Sequence, residues 1–422
     1  MPDKMAGNRS LIRFLFLYIR EVFMIKQKYL SSSALVAFIT FMNMFIPLSI
    51  DLYLPALPQM SAYFSTNETL VNLTLVSFFC VFAIGIILFG PISDKYGRKK
   101  ALIVGVVIYS IASLLCAISM NLYMLIASRI LQALGAGCVI TVATALIKDC
   151  FSSAKMNRIL AITQALAVIA PMTAPIIGGI LLQFTSWQGT FFLLCILGLL
   201  NLIPAFLFTE TLPEEKRYQG SLTGSLTLLW KFGRNRGFMQ NLTMFSLLAA
   251  PYMAYLSVSS YVYIEYFNLT AQMYSYFFAI NSAAAFIGPI LYLQLSRNMT
   301  DNTMTKVCFV IALLSGIAVM VLGNIGPFFF LLTFLPFTII EAVARPFSMS
   351  MLLSEVNDDA GYSFFYDKFY SNIIRKHRYD GRYTPMGKFY YRTQRNYAFY
   401  YRHSYFPLAM QPGPYSLRWK RV

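Results

Sequence analysis

A few charged residues lie inside apolar stretches of the sequence that are otherwise long enough, at about twenty residues, to cross a bilayer as helices. A charge within a bilayer is costly, so such residues are the first candidates for function. They are Asp51, Arg129, Glu341 and Arg345.

Asp51 lies between Pro47 and Pro55 in the first apolar stretch. Prolines free backbone groups and bend a helix, so we expect the Asp51 side chain to face a cavity. A carboxylate removed from water holds a proton more readily, which predicts proton coupling or recognition of a cationic drug. The alternative is a structural carboxylate that caps or hydrogen-bonds locally near the membrane face.

Arg129 lies about eight residues into its apolar stretch, roughly 12 Å deep at the rise of an α-helix. A buried guanidinium needs a partner, and Asp51 is the expected one. Gln132 is a further candidate for the same cavity. The alternative is an ion pair that serves packing alone. Glu341 and Arg345 are spaced i,i+4 and can neutralise one another on one helix face, which favours a structural role.

The segment Gly90–Lys100, which reads GPISDKYGRKK, is a charged stretch between two apolar ones. It predicts a short loop between two membrane helices, in which Gly90 and Gly97 allow close packing and a sharp reversal. The alternative is a positively charged loop that contains glycines by chance.

Asp94 is the lone carboxylate of that loop, among Lys95, Arg98 and two further lysines. This arrangement predicts a fixed ionic clasp. Asp149, at the end of a later apolar stretch, is expected to join Asp94 and Arg98 in one network.

The composition, with 58% hydrophobic and 12% charged residues over 422 positions, indicates a polytopic membrane protein rather than a soluble domain. The six cysteines show no metal-ligand spacing, and both histidines lie near the end of the chain. No phosphate-binding G-x-x-x-x-G-K-[ST] loop occurs. We therefore expect no enzymatic activity, no metal and no cofactor. The net charge of +17 is concentrated in residues 362–422 and does not suggest a nucleic-acid partner.

The sequence predicts about ten spans, at roughly 33–56, 70–92, 100–119, 121–147, 158–183, 188–208, 239–262, 272–295, 304–323 and 326–351. Nearly all Lys and Arg fall in the leader and in alternate loops, which predicts a cytoplasmic N-terminus. The opposite loops contain no basic residue, and their only acidic residues are Glu68 and Glu265.

These patterns divide the chain into five predicted parts. They are a basic leader (1–32), a six-helix bundle (33–208), a cytoplasmic linker (209–238), an incomplete four-helix bundle (239–361) and a basic, tyrosine-rich tail (362–422). The leader is either an interfacial amphipathic segment or an upstream extension of a chain that starts at Met24.

The pattern G-x-x-x-D-K-x-G-R-K-K resembles the signature between the second and third helices of the major facilitator superfamily. The stretches Pro47–Met60, Ser128–Gly137 and Ala145–Asp149 resemble its drug:proton antiporters of the bicyclomycin- and chloramphenicol-resistance type. The resemblance implies a fold of two pseudo-repeat bundles around a central cavity. It also implies that Arg129 faces that cavity and helps to couple protons to substrate.

Ala170–Gly179, which reads APMTAPIIGG, resembles the antiporter motif of the same family. Its Pro171, Pro175, Gly178 and Gly179 are implied to seal the transporter against leak. From the residues alone, a kink that lets another helix approach closely explains them equally well.

The resemblance implies a monomeric multidrug exporter of the inner membrane, with small amphipathic drugs and protons as its ligands and lipid around it. A metabolite carrier of the same superfamily is one alternative. A non-transporting remnant is another, because the family has about twelve spans and this sequence supplies about ten.

The tail holds twelve of the 28 tyrosines and no apolar run of span length. Its codons, read one base out of frame from Gly361, permit an apolar run rich in small residues. We therefore interpret the tail as a frameshift product. The alternative is a genuine basic, aromatic segment on the membrane surface.

Overall fold

A computed structural model describes residues 27–151, 159, 163, 169–220 and 233–357. The predicted tail (362–422) lies outside these residues, as do most of the predicted leader and residues 221–232 of the predicted linker.

Every regular element in the described ranges is a helix. The longer ones are α1 (Ser32–Asp51), α2 (Leu57–Tyr63), α3 (Glu68–Tyr96), α4 (Arg98–Ala117), α5 (Leu122–Cys150), α6 (Ile169–Leu181), α7 (Gln188–Leu207), α8 (Arg236–Tyr261), α9 (Ala271–Ala284), α10 (Ile287–Leu295), α11 (Asp301–Leu322) and α12 (Pro327–Asn357). A π-helical turn, Val262–Tyr266, extends α8.

Nine helical segments of the described chain are long and apolar enough to cross a membrane. The expected all-α, polytopic membrane fold is therefore confirmed. The predicted span 158–183 is represented by α6, which has 13 residues, because most residues directly before it lie outside the described ranges.

Polar side chains fix where many of these helices begin. Each accepts a hydrogen bond from a backbone N–H of the first helical turn, which satisfies one of the donors that a helix start leaves free. They are Ser31 before α1, Asn67 before α3, Asn121 before α5, Asn235 before α8, Thr270 before α9 and Thr300 before α11.

The structure corrects the predicted loop at Gly90. Helix α3 continues through Gly90 and Pro91 to Tyr96, and a Cβ atom at Gly90 would come no closer than 4.0 Å to another side chain. The chain reverses at Gly97, whose φ of +98° is a conformation that glycine adopts without steric cost. The prediction of close packing and a turn is therefore wrong for Gly90. Helix α3 ends only at Tyr96, directly before the positive φ of Gly97.

The helices have two ends that differ in charge. At one end, which we call the basic end, Gly97, Asp149 and Glu210 lie together. The other end contains residues 61–69 and 262–271, and we call it the opposite end. Among the described residues, hydrogen bonds between the first six predicted spans and the last four occur at the opposite end. They join Ser61 to Tyr261, Tyr261 to the Leu57 carbonyl, and Gln183 to Gln272.

Candidate functional site

Arg129 on α5 is completely buried against α1. Its Nη1 atom donates to the backbone carbonyl of Ser49 at 3.0 Å and to Oε1 of Gln132 at 2.5 Å. The guanidinium carbon lies 4.5 Å from the ring centroid of Tyr53 and 4.2 Å from that of Phe78. These aromatic faces stabilise the cation by cation–π attraction in place of water.

Gln132 is itself held in place, because its Nε2 donates to Oγ of Ser113 on α4 at 2.8 Å. The Nε and Nη2 atoms of Arg129 have no hydrogen-bond acceptor in the part of the chain that the structure describes. The buried guanidinium therefore keeps donors that a ligand or a rearranged side chain could use.

Asp51 is the last residue of α1 and only 6% exposed. It forms no ion pair with Arg129, so the expected contact is not present. The reason is that the last carbonyls of a helix have no intrahelical donor, and Arg129 takes the one of Ser49 instead. No other described side chain forms an ion pair or hydrogen bond with Asp51, so the alternative of a local cap is absent as well.

The turn Leu54–Ala56, which follows Asp51, contacts α8 and α9 of the last four spans. Asp51 therefore lies close to where the two sets of spans meet, whereas the contacts of Arg129 are all with the first six spans. A buried carboxylate on α1 and a buried cation on α5 thus form no ion pair with each other.

Glu341 and Arg345 on α12 form a two-point ion pair, with nitrogen–oxygen distances of 2.8 and 2.9 Å. The Arg345 guanidinium also lies 6.0 Å from the ring centroid of Tyr252. The pair is therefore linked to α8 through Tyr252. The Glu341 side chain is 11% exposed and that of Arg345 60% exposed.

A network at the basic end joins α3, α4 and α5 through Arg98. The Arg98 guanidinium contacts Asp94 at 2.5 Å, Asp149 at 3.1 Å and Oγ of Ser93 at 2.6 Å. Lys95 is half-buried in the last turn of α3 and is not ion-paired with any described carboxylate. The structure thus brings Asp94, Arg98 and Asp149 together and leaves Lys95 outside.

Glu210 belongs to the same network, although sequence reasoning assigned it to a linker. Its two carboxylate oxygens accept from the backbone N–H groups of Arg98 at 3.0 Å and Lys99 at 3.1 Å. Thr211 donates to Asp149 at 3.2 Å. Gly97, the residue before α4, has no side chain that could cap this helix. The sequence therefore indicated that a cap must come from elsewhere, but not that Glu210 supplies it.

The Gly/Pro stretch of α6 lies between two other helices. A Cβ at Gly178 would collide with the Leu52 carbonyl, just after α1, and one at Gly179 would collide with Oγ of Ser275 on α9. Pro175 is buried and Pro171 is half-buried. Helix α6 therefore packs closely against both sets of spans.

Residues 34–373, most of the chain, match the Major Facilitator Superfamily. The chain belongs to this family. It is accordingly a multi-pass membrane carrier and not an enzyme.

Several relatives of this facilitator are known. "Uncharacterized MFS-type transporter YdgK" of Bacillus subtilis (strain 168) is 30% identical over 64% of this chain and 68% of its own length. "Bicyclomycin resistance protein homolog" of Haemophilus influenzae is 26% identical over 65% of this chain and 69% of its own. "Multidrug resistance protein MdtL" of Shigella dysenteriae serotype 1 is 26% identical over 57% and 60%.

Solved facilitator structures share the fold at low identity. A bacterial homologue of the human lysosomal transporter Spinster, in an inward-facing and occupied conformation, gives a TM-score of 0.62 at 17% identity over 79% of each chain. A D-xylose–proton symporter gives 0.57 at 13% identity over 74% of this chain and 80% of its own.

Proposed function

We propose that this facilitator exports small amphipathic drugs across the inner membrane in exchange for protons. The relatives named for bicyclomycin and multidrug resistance support this, each at 26% identity. In this proposal the basic end and the N-terminus face the cytoplasm. The two sets of helices rock about the central cavity within a monomer, so that the site opens to each side in turn.

The observation that carries the proposal is the buried, unpaired carboxylate of Asp51. Such a group is stable mainly when it is protonated or bound to a cation. We infer that Asp51 exchanges a proton from one side for a cationic drug from the other. Arg129, held by Gln132, would respond to this exchange through its unused donors.

The remaining candidate residues have supporting roles in this proposal. The Asp94–Arg98–Asp149 network holds the basic ends of α3, α4 and α5 together as a rigid unit. The Gly/Pro stretch of α6 seals the contact between the two sets of spans. The Glu341–Arg345 pair positions α12 against the cavity.

The test is drug export by the full chain in proteoliposomes with an imposed proton gradient. Asp51→Asn is expected to abolish the dependence of export on the gradient, because an amide does not exchange a proton. Glu214→Gln is the matched control, since the Glu214 side chain is 85% exposed. Proton-coupled export that is unchanged in Asp51→Asn would remove this residue from the mechanism.

A metabolite carrier is the rival function, and a D-xylose–proton symporter shares the fold. The same vesicles distinguish the two when drug and sugar or organic-acid transport are compared before and after the proton gradient is dissipated. Gradient-dependent transport of the metabolite alone would favour the rival.

The predicted frameshift provides a further comparison. We expect this chain to export only weakly beside a version whose reading frame is restored after residue 361, so the Asp51→Asn comparison is made in both versions. Equal export by the two versions would contradict this expectation and the interpretation of the chain as a remnant.

A further inference from the structure

Three aromatic rings surround the guanidinium of Arg129, and each comes from a different part of the first six spans. Their centroids lie 4.2 Å (Phe78), 4.5 Å (Tyr53) and 5.7 Å (Phe191) from its central carbon. Phe78 belongs to α3 and Phe191 to α7, whereas Tyr53 follows the end of α1. All three rings are completely buried. We call Tyr53, Phe78 and Phe191 the aromatic cage.

The rings of the aromatic cage are held in place by further contacts. The Tyr53 hydroxyl forms a hydrogen bond with Oγ1 of Thr74 on α3 at 3.3 Å. The Phe191 ring packs against the rings of Tyr53 and Trp187, with centroid distances of 5.3 and 6.1 Å. Trp187 is itself completely buried. Because protein interiors are closely packed, the aromatic cage keeps its shape around the cation.

Arg129 contacts residues on both sides of Asp51 along the chain without pairing with Asp51 itself. Its Nη1 atom donates to the Ser49 carbonyl, and its guanidinium lies over the Tyr53 ring. The backbone stays in the right-handed helical region through Leu52 and Tyr53. Each helical residue turns the chain by about 100°, so Ser49 and Tyr53 share one face and Asp51 lies on the other.

The aromatic cage and Asp51 are therefore alternative partners for one buried cation. The ring faces carry negative charge density and stabilise the guanidinium, but they leave its Nε and Nη2 atoms without an acceptor among the described residues. These two nitrogens form the edge of a guanidinium that a carboxylate can bind with two parallel hydrogen bonds. A weaker cage thus favours movement of the Arg129 side chain toward Asp51.

We propose that the three residues of the aromatic cage are positioning residues, which hold the Arg129 cation away from Asp51 and keep the Asp51 carboxylate available to a cationic substrate. The substrate cation then takes the place at Asp51 that Arg129 would otherwise occupy. A transporter with a weakened cage binds cations less tightly, because its own guanidinium competes for the carboxylate. This role rests on the proposed function of Asp51.

The test is binding of tetraphenylphosphonium, a permanent lipophilic cation, to the full chain in detergent, measured by equilibrium dialysis. Phe78 is replaced by 3,4,5-trifluorophenylalanine, which nearly keeps the size of the ring but withdraws negative charge from its faces. Binding is expected to weaken about five- to tenfold, with graded losses for rings that carry fewer fluorines. The same replacement at Phe79, a half-buried neighbour outside the aromatic cage, is the matched control and should leave binding unchanged.

Arg129→Gln separates this positioning role from simple packing. Fluorination of Phe78 should have no further effect on binding in this variant, because no guanidinium remains to compete for Asp51. A fluorinated ring that weakens binding equally with and without Arg129 would overturn the proposal.

Asp51→Asn distinguishes a failure of the aromatic cage from a failure of the proposed function. Unchanged binding in this variant would count against Asp51 as the cation site, whereas binding that depends on Asp51 but not on fluorination would overturn the cage alone.

Thermal unfolding tests the aromatic cage without any ligand. Fluorination of Phe78 should lower the unfolding midpoint by about 2 °C more in Asp51→Asn than in the wild type, where Asp51 receives the released cation. Equal lowering in the two backgrounds, or none in either, would contradict the exchange of partners.

Discussion

Helices α4 and α11 are both apolar spans that follow a short loop, yet their surroundings differ. In the most apolar part of α4, 56% of the residues are buried. In the most apolar part of the span that contains α11, only 17% are buried. Helix α7 packs on α4, where a Cβ at Gly198 would meet Ser110 and Tyr109. At Gly316 of α11 a Cβ would meet nothing within 4 Å.

The face of α11 that borders α8 and α12 carries small residues. Ala312, Ser315, Gly316 and Val319 line a cavity of about 340 Å³ together with residues of α8 and α12. Because lipid removes most of the hydrophobic drive for helix association, small residues that allow close packing identify helix–helix contact faces. This face of α11 therefore has the character of a contact surface. Ser315 donates to the Thr333 carbonyl on α12 at 2.6 Å, whereas Gly316 borders open space.

The loops that precede the two helices differ in the same way. Gly97 is surrounded by the network of Arg98, Asp149 and Glu210, whereas Arg297 before α11 is exposed and is not ion-paired with any described carboxylate. Helix α4 thus has both a loop network and a covering helix, whereas α11 has neither within the described chain.

The largest effect is expected from Arg98→Ala, which leaves Asp149 without its cation. Breaking a mostly buried pair destabilises by about 3 kcal/mol, and Arg297→Ala, the matched change before α11, should stay within about 0.5 kcal/mol. The measurement is thermal unfolding of each variant in detergent. Equal losses for the two variants would mean that the network does not stabilise the first set of spans.

An intermediate effect is expected from Gly198→Leu. Overpacking the contact between α7 and α4 should cost about 1–3 kcal/mol, whereas Gly316→Leu should cost almost nothing because its side chain enters open space. The same unfolding assay applies. In the version with a restored reading frame, Gly316→Leu should become as costly as Gly198→Leu if an added helix covers α11, and a persistently neutral effect would exclude such a contact.

The smallest effect is expected from Glu210→Gln. The amide oxygen can still accept one backbone hydrogen bond, but the favourable charge at the start of α4 is lost, which is worth about 0.3–1 kcal/mol. Glu214→Gln nearby is the control. A loss for Glu210→Gln as large as that for Arg98→Ala would show that Glu210 holds the network rather than the helix start alone.

Several features were predictable because they depend on neighbours in the chain. Apolar runs of span length indicated the approximate positions of the membrane spans, and residues such as Asn67 and Asn121 mark helix starts. Glu341 and Arg345 are neighbours on any α-helix by their spacing. The burial of Arg129 also followed from its depth in an apolar run.

Other features were not predictable because their partners come from distant parts of the chain. The sequence suggested Asp51 for Arg129, but the end of α1 offered the Ser49 carbonyl instead. Nothing local indicated that Glu210 caps α4, or that Glu68 and Glu265 line one cleft. Gly90 and Gly97 looked equivalent, and only the backbone path distinguished them.

By itself, the sequence of this facilitator determined what each segment must be, since a span has to satisfy its own backbone hydrogen bonds in lipid. The tertiary structure alone decided which charges meet, because that depends on how the helices pack and on where each one ends. Asp51 shows both contributions. Its sequence context alone reveals a charge that is costly in a membrane, whereas only the fold shows that this charge has no ion-pair partner among the described residues.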